Sequence, residues 1–359
     1  MTKKIIFSAG GTGGHIFPAI NLMKYLSNKG YDVLLVTDVR GSSFLKNQTT
    51  FRSCVISAAT PSNKSFLKKI FSFIIIIFSI IRSVIILKKE NPDLIIGFGG
   101  YVSFPISFSS KLYSIPLLIY ENNLVLGRTN KNLLPFSKKI LLAAKIPINF
   151  PEKYRSKICQ VGNILREEII NYSSAVSKNN KKAFSILVLG GSQGAEIFGK
   201  IVPEVIRKLK EKGFSIEINQ QCIKQQKHSL IEFYKKNNIK SNIFDFSDNI
   251  LDLIATSDLA ISRCGASTTA ELVNTLTPFI AVPYPHSMDN HQHLNAKYYE
   301  SKGCCWVIEQ DKFHSEKLFN LVIEIIQDKK KLENIRENMK KNDSKDVYVK
   351  IESAIKEFI

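Results

Sequence analysis

The chain is short of acid: 31 aspartates and glutamates stand against 50 lysines and arginines among 359 residues, a formal net charge of +19. An excess of that size suits an anionic partner, whether nucleic acid, a nucleotide or an anionic membrane face. A compositional bias toward Lys, Ile and Asn would give the same surplus with no partner at all. The six cysteines contain no C-x-x-C pair, and two of them, Cys304 and Cys305, are adjacent. That spacing offers no zinc or dithiol motif and fits reduced thiols in a cytosolic protein. MTKKIIFSAGG runs straight into a strand, so no signal peptide is expected. With 44% hydrophobic and 23% charged residues the chain is globular rather than disordered, and its length predicts two domains, each with its own core.

What is present centres on Ser262 to Ala296, SRCGASTTAELVNTLTPFIAVPYPHSMDNHQHLNA. Leu259 to Ser262 reads as a short buried strand ending at Arg263, Cys264 and Gly265. Ser267 and Thr268 are placed to cap a helix running through Glu271 and Leu272. Phe279 to Val282 is a second strand, ending in the turn PYPH. A strand, a glycine turn and a helix N-terminus make an anion site, because free backbone N–H groups and the helix dipole face whatever lies there. Glu271, one turn in, is placed to accept hydrogen bonds from sugar hydroxyls. Asp289, Asn290, His291 and Gln292 add hydrogen-bonding groups after the next strand. Taken alone, the segment is equally an ordinary strand–helix–strand unit with caps.

From the N-terminus, Ile5 to Ala9 is a buried strand, and Gly10 to His15 (GGTGGH) leads into a helix expected from near Pro18 to Gly30. Val33 to Thr37 follows, with Asp38 at its tip, as in the opening of a doubly wound sheet. The loop is not G-x-G-x-x-G, since Ile16 takes the third position, and no Gly-Lys-Ser/Thr follows, which excludes a P-loop. An NAD reading rests on Asp38 alone as a ribose ligand. His15 is the unusual residue, an imidazole on a loop whose glycines let a ligand approach the backbone closely.

Ile70 to Leu87, IFSFIIIIFSIIRSVIIL, is the most apolar run and nearly long enough to span a bilayer. Ser72, Ser79, Arg82 and Ser83 fall on one stripe at helical spacing, giving a narrow polar face. Lys68, Lys69, Lys88 and Lys89 flank both ends, so no orientation bias exists. The expectation is a sheet-packing helix whose surplus apolar surface, with Phe73, Ile76, Ile77 and Ile80, dips into a membrane interface; plain core packing is the alternative.

Further strands are read at Leu94 to Ile96, Leu117 to Tyr120, Ile140 to Ala144 and Ile158 to Val161, with a second glycine loop, GFGGYVSFP, at Gly97 to Pro105. Gly162, Asn163 and Arg166 mark the joint. The second half restarts with a strand at Phe184 to Leu189 and the loop GGSQGA, Gly190 to Ala195. Ile216 to Asn219 and Ile243 to Phe246 supply further strands. The fold class read from this is α/β, two Rossmann-like domains facing a cleft. The expected division is 1–163, with a helix at 345–359 packing back on it, and 164–344.

GGTGGH with Pro18, GFGGYVS, the Glu121–Asn122–Asn123 triplet, GNILR, GGSQGA and the Gly265 to Glu271 segment occur in the order and spacing of one family. The chain resembles the MurG family of bacterial transferases over nearly its whole length. The resemblance implies a GT-B fold. It implies inverting transfer of N-acetylglucosamine from UDP-GlcNAc to the muramyl 4-hydroxyl of lipid I, giving lipid II for peptidoglycan. It also implies a peripheral place on the cytoplasmic face of the plasma membrane, with an anionic membrane surface as partner, no nucleic acid and no cofactor.

Carried over by position, the family's donor contacts fall on Thr12, Gly13, Gly14, Asn123, Arg166, Ser192, Ser247 beside the uracil, Ala266, Ser267, Thr268, Thr269, Ala270, Glu271 and Gln292. Gly99, Gly100 and Tyr101, with the first glycine loop, would cradle the acceptor diphosphate. Arg166 and Ser192 suit a diphosphate leaving group. No Asp-x-Asp occurs, so a metal bridging that diphosphate is not indicated. His15 is the candidate general base, or else orders its loop by hydrogen bonds; Glu121 is the second candidate. The chain departs from the family at Tyr120, Asn122 and Ile164, where His, Gln and Pro are usual. Other readings are a GT-B enzyme acting on a different membrane lipid, a UDP-GlcNAc epimerase, and a non-enzymatic basic protein that binds membranes or nucleic acid.

Overall fold

A computed structural model describes residues 2–45, 51–57, 59, 66–148, 150–170, 183–191, 195–247, 249–342 and 346–359. The chain divides into two compact units, Met1–Arg166 with Ser344–Ile359, and Glu167–Asp343.

The first unit is built on seven strands: β1 (Lys4–Ser8), β2 (Asp32–Thr37), β3 (Arg52–Val55), β4 (Leu94–Gly97), β5 (Leu117–Glu121), β6 (Lys139–Leu142) and β7 (Ile158–Gln160). Their order is β3-β2-β1-β4-β5-β6-β7, with every pair parallel. The central strands are almost uninterrupted Ile, Leu and Val because helices cover both faces of a parallel sheet. The order reverses between β1 and β4, where Ser8 pairs with Gly97, so the loops leaving these two strands start side by side. Ligands of doubly wound sheets bind at that crevice.

The second unit repeats the plan with β8 (Phe184–Leu189), β9 (Ile216–Gln221), β10 (Lys240–Phe244), β11 (Leu259–Ser262), β12 (Phe279–Ala281) and β13 (Cys305–Val307), in the order β10-β9-β8-β11-β12-β13. Here the switch lies between β8 and β11, with Ser262 opposite Leu189. Strand β10 ends at Phe244 rather than Phe246, whose ring is 69% exposed.

The first helix runs Gly13–Asn28, starting at the glycine loop and not near Pro18. Proline suggests a helix start because its missing N–H costs nothing in the first turn. Here Pro18 stands one turn further in, and the carbonyl it would have bonded, that of Gly14, accepts from Asn122 Nδ2 at 2.8 Å. His15 is therefore a first-turn helix residue.

The apolar segment forms a helix, Phe66–Glu90, turned the opposite way to its polarity pattern. Ser72, Ser79 and Ser83 are buried, while Phe71, Phe73, Ile74, Ile77, Phe78, Ile81 and Ile85 are exposed and Ile76 and Ile80 half-buried. Ser79 Oγ donates to Ser57 O at 2.8 Å and Ile75 O at 2.7 Å, and Ser83 Oγ to Ser79 O at 2.6 Å. Hydroxyls that bond the backbone need no water, and their small size lets this helix pack closely on the helix Ser103–Ser109. Arg82 leaves the stripe and is exposed. Lys88 and Lys89 are exposed at the C-terminal end, and the side chains of Lys68 and Lys69 lie outside the described set. By length and composition Ile70–Glu90 could cross a membrane.

The terminal helix Val347–Lys356 packs on the first helix: the rings of Tyr25 and Tyr348 stack at 4.7 Å, and Tyr25 Oη donates to Glu352 at 2.7 Å.

Candidate functional site

In the first unit the two glycine loops meet backbone to backbone. Gly100 has φ +80°, and a Cβ there would lie 2.4 Å from Gly10 O; one at Gly10 would lie 2.4 Å from Val102 Cγ1. No side chain fits between the loops, so the N–H groups of both remain close to one space. Asp38 braces the first of them: Oδ1 accepts from Gly41 N at 2.7 Å, capping the helix Val39–Ser43, and from Gly11 N at 3.3 Å. That engagement gives Asp38 a structural place in capping the helix and holding the loop.

His15 is half-buried, with Nδ1 3.2 Å from Gly10 O. A carbonyl only accepts, so Nδ1 carries the hydrogen and the lone pair of the neutral ring sits on Nε2. A Cβ at Gly99, φ +93°, would stand 3.2 Å from that Nε2. The second glycine loop thus passes under the basic nitrogen of His15, and Tyr101 follows half-buried. Thr12 is the exposed N-cap residue of the first helix, with no side-chain capping bond, and Gly13 and Gly14 form its first turn.

Glu121 does not suit the role of second base. It is 3% exposed, and its two oxygens accept four N–H groups. Oε1 takes Asn123 N at 3.1 Å and Asn123 Nδ2 at 3.3 Å; Oε2 takes Gly127 N at 2.8 Å and Asn130 Nδ2 at 3.0 Å. A carboxylate so occupied orders the loop after β5 rather than receiving a substrate proton. Asn123 is half-buried and also donates to Asn122 Oδ1 at 2.8 Å, which leaves its amide oxygen for a ligand. Arg166 is half-buried at the end of the joint segment.

In the second unit, Gly190 N donates to Gln221 Oε1 at 3.0 Å and Gly191 takes φ +80°. On the neighbouring strand, Gly265 is the N-cap of the helix Ala266–Asn274. Among the described residues, a Cβ built at Gly191 or at Gly265 would meet nothing within 4 Å. Ser267 and Thr268 are not caps but half-buried first-turn residues, because the helix is capped by Gly265, two positions before Ser267. Among the expected donor contacts, Ala266 and Ala270 are buried, and Thr269 is buried with Oγ1 donating back to Gly265 O at 3.0 Å. Its hydroxyl hydrogen is engaged by the helix backbone. Glu271 is half-buried in the second turn.

Gln292 acts as a brace. Its Oε1 accepts Cys264 N at 3.2 Å and Tyr284 N at 3.0 Å, while Asn295 Nδ2 donates to Cys264 O at 3.1 Å. Only the amide nitrogen of Gln292 is left to reach a ligand. Ser247 is half-buried beside the exposed ring of Phe246, a flat apolar surface that the strand reading hid. Ser192 lies outside the described residues.

Arg263 is the residue sequence reasoning passed over. It is 8% exposed, with its guanidinium 5.1 Å from the Phe198 ring and 5.3 Å from that of Tyr284. It donates to Val282 O at 3.1 Å, Pro283 O at 3.3 Å and Gln310 Oε1 at 2.5 Å. Burial pushes its pKa down, and no carboxylate pairs with it among the described residues. Carbonyl dipoles and ring faces hold this cation beside the turn that leads into the helix Ala266–Asn274.

Comparison with known proteins places the fold. The glycosyltransferase family 28 N-terminal domain matches residues 5–142, and its C-terminal domain matches 185–351. A Pelagibacter ubique protein named UDP-N-acetylglucosamine--N-acetylmuramyl-(pentapeptide) pyrophosphoryl-undecaprenol N-acetylglucosamine transferase is 35% identical, covering 99% of this chain and 100% of its own. The crystal structure of Acinetobacter baumannii MurG superposes with a TM-score of 0.78 at 25% identity, covering 99% of each chain. A UDP-N-acetylglucosamine 2-epimerase structure shares the fold, with a TM-score of 0.67 at 12% identity over 99% of this chain and 96% of its own. Two parallel-sheet units of the GT-B class, matched by both family 28 domains and by a 35% identical relative over its whole length, fix the assignment: the chain belongs to the MurG family of glycosyltransferases.

Proposed function

We propose that the chain transfers N-acetylglucosamine from UDP-GlcNAc to the muramyl 4-hydroxyl of lipid I, with inversion at the anomeric carbon. The hydroxyl oxygen forms the new bond to C1 as the bond from C1 to the diphosphate oxygen breaks, and UDP leaves. His15 Nε2 takes the hydroxyl proton. The observation that carries this role is the hydrogen bond between Nδ1 and Gly10 O, which fixes the tautomer with Nε2 as the base, over the glycine loop suited to the acceptor diphosphate. Gly99, Gly100 and Tyr101 with Gly13 and Gly14 offer backbone N–H groups to that diphosphate.

The departing UDP is met by the N-terminus of Ala266–Asn274, which follows Gly265, with Arg166 and Ser192 as further donors. Glu271 accepts from the ribose hydroxyls, and Ser247 with Phe246 borders the uracil. Asn123 and Gln292 offer amide groups to the sugar. The exposed apolar face of Phe66–Glu90, including Phe73 and Ile77, enters an anionic membrane, which makes the enzyme peripheral on the cytoplasmic face where lipid I is presented.

Purified protein incubated with UDP-GlcNAc and a lipid I analogue should yield the disaccharide product and UDP. Conversion of the donor with no acceptor present would instead support an epimerase. Transfer to diacylglycerol but not to lipid I would support a different lipid glycosyltransferase.

A further inference from the structure

The segment that leaves the first unit, Val161 to Arg166, has no regular structure after β7, yet it is fastened along its length. Val161 N and Gly162 N both donate to Leu142 O, at 2.9 and 3.2 Å. Gly162 turns the chain at φ +104°. From there two tyrosine hydroxyls take over. Tyr120 Oη donates to Gly162 O at 3.3 Å and accepts from Ile164 N at 3.0 Å. Tyr348 Oη donates to Leu165 O. A strap without a strand or helix leaves its backbone groups unpaired unless side chains serve them, and here phenols do so.

Both tyrosines are held by the parts of the unit that carry the site. Tyr120 is 2% exposed, its ring lies 5.4 Å from that of Phe98 in the second glycine loop, and its carbonyl accepts from Asn130. Tyr348 is 6% exposed and stacks on Tyr25 of the helix that begins with the first glycine loop. We propose that Tyr120 and Tyr348 are positioning residues: their hydroxyls fix the strap Gly162–Leu165 and thereby set where Arg166 stands to meet the donor diphosphate. The inference rests on the reading of Arg166 as a donor contact. It adds that this contact is made effective by two phenols that touch no substrate.

The test uses the full chain with Tyr120→Phe, Tyr348→Phe and the double variant, which keep the rings and remove only the hydroxyls. Hydrogen exchange at the Ile164 amide and steady-state rates with UDP-GlcNAc varied at saturating acceptor are both read. In Tyr120→Phe, the Ile164 amide should exchange faster. KM for UDP-GlcNAc should rise about three- to tenfold with kcat within about twofold, and more in the double variant. A folded Tyr120→Phe with unchanged donor KM overturns the proposal, as does a loss confined to kcat. Arg166→Ala separates the two levels. If it raises donor KM while the tyrosine variants do not, the strap proposal alone falls. If Arg166→Ala leaves donor KM unchanged, the donor-contact reading fails and takes the proposal with it.

Discussion

Asn122 donates its side-chain amide to the carbonyl oxygen of Gly14, an oxygen that Pro18, four residues on, has no N–H to serve. A proline inside a helix leaves such an acceptor and pushes against it with its ring. In this chain the gap is filled from the loop after β5, which ties the first glycine loop to the one ordered by Glu121. Asn122→Ala should therefore destabilise the first unit by about 1–3 kcal/mol, the cost of a buried polar group left unpaired. With Pro18→Ala also made, residue 18 can supply its own N–H, and the same Asn122 change should cost clearly less. A double-mutant cycle by urea unfolding measures the difference; equal costs in both backgrounds would refute the link.

His15→Ala should lower kcat by about 10²-fold or more with little change in donor KM, as for the loss of a general base. Glu121→Gln serves as contrast. It keeps two of the acceptor positions and should act on stability and loop order before chemistry. A larger kcat loss in Glu121→Gln than in His15→Ala would reverse the two roles.

The apolar helix gives a pair of opposite outcomes. Phe73 and Ile77 are exposed, so Phe73→Asp with Ile77→Asp should release the protein from anionic vesicles and leave its melting temperature nearly unchanged. Ser79 is buried and bonded to Ser57 O, so Ser79→Leu, an apparently milder change in so apolar a segment, should destabilise by roughly 1–3 kcal/mol through overpacking. Vesicle sedimentation and thermal melts read the two. Unfolding by the aspartates would return this face to the core.

These cases show what the chain discloses by itself. The strands and the glycine loops were legible because parallel strands buried on both faces are continuous apolar runs, and a glycine loop must follow where helix and strand backbones approach. Which side of Phe66–Glu90 faces inward was not legible: serines that bond the backbone behave as small core residues, and polarity alone points them outward. The place of Pro18 was misread because its compensating donor lies at Asn122, beyond any local window. Arg263 was hidden for the same reason, its partners being Phe198, Tyr284, Gln310 and two carbonyls from the end of β12. Glu121 could be found as a conspicuous carboxylate, but only the fold shows its four donors.

An ion cluster around the buried carboxylate of Glu90, at the N-terminal ends of the first sheet's strands, sets an acid limit. Glu90 is 8% exposed; burial opposes its charge, but hydrogen bonds from Lys4 at 3.0 Å and Arg52 at 2.8 Å outweigh that and hold its pKa below the ordinary 4.5. Asp93 is likewise lowered, burial again opposed by the Lys4 backbone N–H and by Lys3. A carboxylate whose folded pKa is depressed adds stability above its unfolded pKa and loses it as pH falls through the folded one. Melting temperature should therefore fall from about pH 5 downward, and Glu90→Gln should flatten part of that slope while lowering stability at neutral pH. An unchanged slope would mean that Glu90 is not the group being titrated.

Glu271 is half-buried in the second turn of Ala266–Asn274, the helix whose N-terminus is proposed to meet the donor diphosphate. A carboxylate near an anion site is electrostatically costly unless it does something there. Its position one turn past the N–H groups suits the ribose, whose two hydroxyls can both donate to it. Charge-assisted hydrogen bonds of that kind contribute about 1.5–3 kcal/mol, so Glu271→Ala should weaken UDP and UDP-GlcNAc binding by roughly 10- to 100-fold. The control is 2′-deoxy-UDP, measured by calorimetry beside UDP. The unaltered protein should bind the deoxy compound less tightly, while Glu271→Ala should hardly distinguish the two, because the hydroxyl that differs has lost its acceptor. If both proteins discriminate equally, the ribose is held elsewhere, and Glu271 is only a solvated residue on the helix.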